Sequence, residues 1–377
     1  MNGAAAGLPA DGFPQDLADL HLLVGSYTAT GGGNATGISV VHGSTATTVA
    51  VIDDPSFLAL SGDRVYAVSE TADGSISAFR YAGGSLEHRW DADAGGDAPC
   101  HVRVDPSGAL VVTNYVSGTV TAVSLEAAES HAASVSASDG VVGAHGSQDR
   151  VVVPDTAVVT GVLPDVEGPV EDRQEGPHAH QSIATPDGTV LVADLGGDAL
   201  HEFRVTAAPS IDLVRVHHVA PGVGPRHMVW LGDGPDADLV VAGELDGRVH
   251  RLRRDDAGSL RPIAAAATFD GPVGESLLSH VEVDAAGRVV VAVRGRDAVV
   301  VLDTAGDGLS VVGSASCGGE WPRHFAQVPG YLLVANQMSD AIAVLPVGDD
   351  GVPGDPVAQI AVGSPTCIVP VPAPTRS

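Results

Sequence analysis

Pro99-Cys100-His101-Val102-Arg103-Val104-Asp105-Pro106-Ser107-Gly108-Ala109-Leu110-Val111-Val112-Thr113-Asn114 reads as strand, turn, strand. His101 to Asp105 alternates, as a half-buried strand does. Pro106-Ser107-Gly108 supplies turn chemistry. Ala109 to Asn114 is a buried strand, Tyr115 to Gly118 a second turn, and Thr119 to Leu125 a third strand. The outline recurs after Pro177, Pro225, Ser279 and Pro322. The opening motifs are Pro55-Ser56-Phe57, Pro99-Cys100-His101, Pro177-His178-Ala179-His180, Pro225-Arg226-His227, Ser279-His280, Pro322-Arg323-His324 and Pro365-Thr366-Cys367. Where the spacing is tight it is roughly 43 to 54 residues, one four-stranded propeller blade.

The 377 residues could make two or three ordinary domains. The repeat overrides that prior, because a blade cannot bury its faces alone and must close a ring. An all-β, seven-bladed β-propeller follows, as a single domain over 21–372. A flexible segment is expected over 1–20 and a tail over 373–377. The last motif provides one strand only, and the first strands, His21 to Tyr27 and Gly37 to Val41, have no motif before them. The C-terminal strand is therefore expected to pair with the N-terminal strands and close the ring. No long amphipathic helical pattern stands out. The wide gap between Pro99 and Pro177 holds an outer strand plus an insertion at about 126–146, read as a surface loop.

The net charge is −28, and all 19 basic residues are arginine. So acidic a chain is a poor partner for nucleic acid or an anionic membrane surface. An anionic substrate must therefore be met by a local arginine cluster. Three cysteines, Cys100, Cys317 and Cys367, make no disulfide framework and read as reduced and packed. Residues 1–20 lack the basic and apolar regions of a signal peptide, and no run is long enough to span a membrane, so a cytoplasmic address is expected.

In a blade, the start of the first strand and the end of the second meet at one face near the axis, here roughly 13 to 18 residues apart. Pairing these points places Phe57 with Glu70, His101 with Asn114 and Tyr115, and His178 and His180 with Asp194. It likewise joins Arg226 and His227 with Glu244, His280 with Arg294, and Arg323 and His324 with Asn336 and Gln337. Thr366 and Cys367 meet Ser26 and Tyr27. One rim is thus rich in histidine, arginine and carboxylate, while the other carries generic turns such as Pro186-Asp187-Gly188. An active site is expected at the first rim.

Leu22-Leu23-Val24-Gly25-Ser26-Tyr27-Thr28, Pro55-Ser56-Phe57-Leu58-Ala59-Leu60, Pro99-Cys100-His101, Pro177-His178-Ala179-His180, Gly224-Pro225-Arg226-His227 and Trp321-Pro322-Arg323 occur in an order that resembles the seven-bladed lactonase family. That family is the propeller type of 6-phosphogluconolactonase and also contains carboxymuconate cyclases. The resemblance covers nearly the whole chain. It implies lactone chemistry, with His178 or His180, Arg226 and Glu244 at the active site and Arg294 and Arg323 as further arginines of the pattern. The family's usual Asn-Glu reads Gly243-Glu244 here.

Lactone hydrolysis needs an activated water and a stabilised oxyanion. Glu244 or a rim histidine is the expected proton acceptor, Arg226 the oxyanion partner, and His180 the donor to the leaving alcohol, with His178 beside it. Arg294 and Arg323 are expected to grip a phosphate or carboxylate. His101, Asn114 and Gln337 complete the expected substrate-binding set. The substrate is expected to be a small anionic lactone. No cofactor or metal is expected, and no oligomeric state is assigned. A carboxymuconate cycloisomerase, a metal-dependent enzyme and a non-catalytic binding platform are the competing readings.

Overall fold

The computed structural model of the chain describes residues 13–138 and 151–372. Seven four-stranded antiparallel sheets form the seven blades. The first strand of each blade touches the first strands of the blades on either side, so the seven innermost strands close a complete circle around the axis. Closure is as expected. Pro365–Pro370 pairs with His21–Ser26, with Leu23 opposite Val369 and Gly25 opposite Cys367. Ile38–His42 and Thr45–Ala50 complete that blade.

The core lies between blades. Each second strand is almost wholly buried, as in Val289–Arg294 and Asp238–Gly243, because it is covered on both faces by neighbouring blades. Fourth strands such as Ser310–Ser316 alternate exposed and half-buried residues, as an outer edge facing water must.

A recurring aspartate ties blade to blade. Asp198, Asp297 and Asp340 each adopt a left-handed backbone, with φ of 47, 51 and 49°. This conformation suits aspartate better than larger residues. Their carboxylates accept backbone N–H groups just ahead of the next blade: Gly222 and Gly224, Trp321, and Ser364. The sequence carries the signal as Asp-Ala followed by an aliphatic residue, at 198–200, 297–299 and 340–342. The clamp holds the motifs that deliver Arg226 and Arg323.

Two expectations need correction. The insertion at 126–146 does not begin as a loop: Leu125–Ser138 is an α-helix. Ala128 and Ala132 on one face pack into the cluster around Trp90, whose Nε1 donates to Glu129 at 3.1 Å. The apolar face is built from alanine, so its hydrophobic periodicity is faint. Residues 139–146 of that insertion lie outside the described residues. The segment expected to be flexible over 1–20 is docked from Phe13 onward, with a 3-10 turn at Gln15–Leu17 and Leu17 buried against Leu22 and Val41. Residues 1–12 and the expected tail, 373–377, lie outside the described residues.

Candidate active site

The expected rim exists, and its strand ends pair as the spacing implied. Pro99 lies opposite Asn114, Ala179 opposite Asp194, Pro225 opposite Gly243 and Pro322 opposite Asn336. A register shift follows in each of these first strands, for example between Ala179 and Ser182 and between Pro225 and Met228. Such bulges re-aim the side chains beside them. Here adjacent residues of one motif divide between two levels of the axial channel.

The upper level is a cavity of about 240 Å³ lined by Tyr27, Glu70, Cys100, Tyr115, Arg173, His180, Arg226, Glu244, Arg294 and Arg323. The lower level holds the rings of His101, His227, His280 and His324 with Phe57. His180 and Arg226 line both the upper cavity and a small space beneath it, where they meet His227 and His324.

Glu244 is the electrostatic centre. Its carboxylate accepts Arg173 Nη2–H at 2.5 Å and lies 2.8 Å from Arg226 Nε and 2.7 Å from Arg294 Nη2. Burial alone would raise its pKa, but Arg294, Arg226 and Arg173 outweigh burial and hold it at about 2. Glu244 is therefore a permanent anion ringed by three guanidiniums. Gly243 has a steric reason: a Cβ there would lie 2.2 Å from Asp246 Oδ1. The Asp246 carboxylate thus takes the room that Asn114 and Asn336 use at the matching strand ends.

A second group faces it. Tyr27 donates to Glu70 at 2.7 Å, and Arg323 donates to the Tyr27 hydroxyl at 2.6 Å while lying over the ring. His180 is different. Burial, then Arg226, Arg323 and Arg294, push its pKa well below the ordinary value, so the ring is neutral at pH 7. Its Nδ1 has no partner among the described residues, nor has Arg226 Nη1. The strand bearing His180 is pinned by Thr113 Oγ1 and Cys100 Sγ, both donating to the His180 carbonyl. Burial lifts the Cys100 thiol to about 12, which removes it as a nucleophile.

Of the residues expected in the site, His180, Arg226, Glu244, Arg294 and Arg323 meet in the cavity. His178, His101, Asn114 and Gln337 do not line it. His178 stacks on Tyr115 at 4.4 Å, donates Nδ1–H to the Tyr115 carbonyl and lies 3.3 Å from Glu175. It orients Tyr115, and the bulge after Ala179 breaks the alternation that would have put it beside His180. His101 belongs to the lower level, where Ser182 donates to its Nδ1 at 3.4 Å. Asn114 donates to the Ala94 carbonyl at 2.8 Å and to Thr119, which shapes the loop above it. Gln337 donates its backbone N–H to the Trp321 carbonyl within a turn.

Arg173 escaped sequence reasoning. It sits in the acidic run Glu171-Asp172-Arg173-Gln174-Glu175, within the long gap between two motifs. The fold brings it in because buried Gln174 ties this loop to the Leu195 carbonyl and to Val170. Among the described residues no group of three or more His, Cys, Asp or Glu is arranged to hold a metal ion. A larger groove of about 920 Å³ near Asp53, Asp73 and His88 has no arginine in its wall.

Exchanging Glu244 for glutamine should leave Arg226 and Arg294 buried without a counter-ion. The expected cost is about 3–5 kcal/mol, as for breaking other buried pairs. A clear drop in thermal midpoint is the readout, and an unchanged midpoint would contradict this account of the cluster.

A family model described as "Lactonase, 7-bladed beta-propeller" matches residues 21–370. A protein of Bacillus subtilis named 6-phosphogluconolactonase is 30% identical over 310 residues, covering 76% of this chain and 78% of that protein. The crystal structure of a putative 6-phosphogluconolactonase from Bacteroides fragilis superposes with a TM-score of 0.77 at 26% identity, covering 95% and 99% of the two chains. A periplasmic gluconolactonase of Pseudomonas aeruginosa superposes with a TM-score of 0.75 at 26% identity, covering 94% and 99%.

Proposed function

The chain belongs to the seven-bladed β-propeller lactonase family, and from that premise we propose that it hydrolyses a phosphorylated sugar-acid lactone, 6-phosphogluconolactone, to the open acid. The observation that carries the choice of substrate is the charge of the cavity. Arg173, Arg226, Arg294 and Arg323 face Glu70 and Glu244, leaving two positive charges unbalanced in a protein of net charge −28. A phosphate monoester carries about −1.5 to −2 at neutral pH and fits that excess. The volume, about 240 Å³, suits a small substrate.

In this reading His180 is the general base. Glu244 is unsuited, because a carboxylate held at about 2 and paired with three guanidiniums has little affinity for a proton. Neutral His180 offers a lone pair at pH 7. It takes a proton from the attacking water and returns it to the ring oxygen as the C–O bond breaks. Arg226, which has an unpartnered N–H, meets the developing oxyanion. Glu244 holds Arg226, Arg294 and Arg173 in place. Free, buried cysteines and a phosphorylated substrate agree with a cytoplasmic address.

A panel of phosphorylated and unphosphorylated lactones, with a carboxymuconate as a further arm, tests this. The phosphorylated lactone should be favoured in kcat/KM by at least about tenfold, the worth of one or two charge-assisted hydrogen bonds. Added salt should narrow the gap. Equal rates for the two lactones would remove the phosphate from the proposal. No acceleration over spontaneous hydrolysis would remove the lactonase itself.

A further inference from the structure

Beneath the cavity a hydrogen-bonded chain runs along the axis. His227 Nδ1 lies 2.8 Å from His280 Nδ1, and His280 Nε2 lies 3.1 Å from Glu282 Oε1. His280 and Glu282 are two residues apart on one strand, Leu277–Val283, and the bulge between Leu278 and Val281 leaves their side chains in contact. That strand starts at the cavity face and ends at the opposite face, where the Glu282 side chain is 32% exposed and also accepts Gln327 Nε2 at 2.8 Å.

The partners determine the tautomers. A carboxylate only accepts, so His280 must carry its proton on Nε2. Its Nδ1 is then an acceptor, and His227 must donate from Nδ1. This leaves Nε2 as the lone-pair nitrogen of His227, a residue that lines the small space shared with His180 and Arg226.

We propose that His227, His280 and Glu282 form a proton relay, which takes the acid proton made by lactone opening from the cavity floor to the opposite face of the ring. The inference rests on the lactonase reading above. Hydrolysis of a lactone at neutral pH yields a carboxylate, an alcohol and one proton. His180 cycles one proton of the attacking water to the leaving oxygen. The second must leave a space walled by four guanidiniums, which repel it toward the axis. His227 Nε2 takes that proton, the His227 Nδ1 proton passes to His280 Nδ1, and the His280 Nε2 proton passes to Glu282. Glu282 gives its proton to water at that face; once product has left and the cavity is open, the reverse shift draws a proton in through Glu282 and releases one from His227 Nε2 to cavity water, which restores the starting tautomers.

Burial, with Arg226 and then His280, His180 and His101 around it, keeps His227 neutral at rest. His280 is stacked on His324 at 3.8 Å and packed on Phe325. The proton therefore passes through His227 without an added charge residing on that ring. These are positioning and relay groups, since none of them lines the upper cavity.

Glu282→Gln in the full chain is the test, because glutamine keeps the size of the side chain and cannot take a proton. In weak buffer kcat should fall roughly tenfold, as for loss of other groups that act through a first ligand or base, with KM unchanged. Added imidazole should restore most of the rate to the variant and do nothing for the wild type. Mixed light and heavy water should give a bowed rate dependence in the wild type and a straight one in the variant. A variant as fast as wild type in weak buffer, or a slow one that imidazole leaves slow, overturns the relay while the lactonase reading stands. A wild type inert toward every lactone sinks that reading, and the relay with it.

Discussion

Acidification should weaken the propeller steeply, starting near pH 6.5. His101, His180, His227 and His324 are buried as neutral rings; burial, the largest cause for each, and neighbouring charges hold His101 at about 3 and the other three well below the ordinary value. The unfolded chain binds protons at these residues once the pH drops below about 6.5, while the folded chain does not. Stability contributed by the neutral rings is complete above that pH. It is lost as the pH falls toward each folded value, at about 1.4 kcal/mol per pH unit for each histidine. Four such residues together approach about 5.5 kcal/mol per unit, comparable to the whole stability of a marginal domain. Glu244, held at about 2, begins to contribute only below its ordinary range near 4.5, so the two effects separate on the pH axis. Thermal midpoints measured from pH 8 to pH 4.5 report this directly. A flat profile between pH 7 and pH 5 would mean that the axial rings accept protons without cost.

His180→Ala should reduce kcat by about 10² to 10⁴-fold, the usual worth of a positioned base. The wild-type pH profile should carry a second signature. In the free enzyme burial and then three arginines depress the ring, so kcat/KM should lack the acid limb that an ordinary histidine gives near pH 6.5. A bound dianion cancels much of that positive field, so the acid limb of kcat should lie at higher pH than that of kcat/KM. If the alanine variant kept its rate, or if both limbs coincided near 6.5, His180 would lose the role of base. Glu244 would then have to be reconsidered despite its three guanidinium partners.

Much of the site could be read in advance because a propeller converts sequence period into position. Pairing each motif with the end of the following strand brought His180, Arg226, Glu244, Arg294 and Arg323 to one mouth, and all five line the cavity. Tyr27, Glu70 and Tyr115 were legible as rim positions but not as members of a charge network. Their roles depend on a tyrosine bridging a carboxylate and a guanidinium across blades. Arg173 was not legible, since a loop outside the repeat carries it. His178 and His101 were placed by the same pairing of strand ends, and bulges beside them re-aim their side chains. The helix Leu125–Ser138 was missed because alanines make its buried face.

The chain alone determined the number of blades, the way the circle closes and the rim that carries charge, since these follow from period, alternation and turn chemistry along one strand at a time. Only the tertiary structure decided which rim groups are held ionised and which neutral. That depends on distances between side chains of different blades: a carboxylate with three guanidiniums within 3 Å cannot serve as a base, while a buried imidazole among the same arginines stays neutral and available.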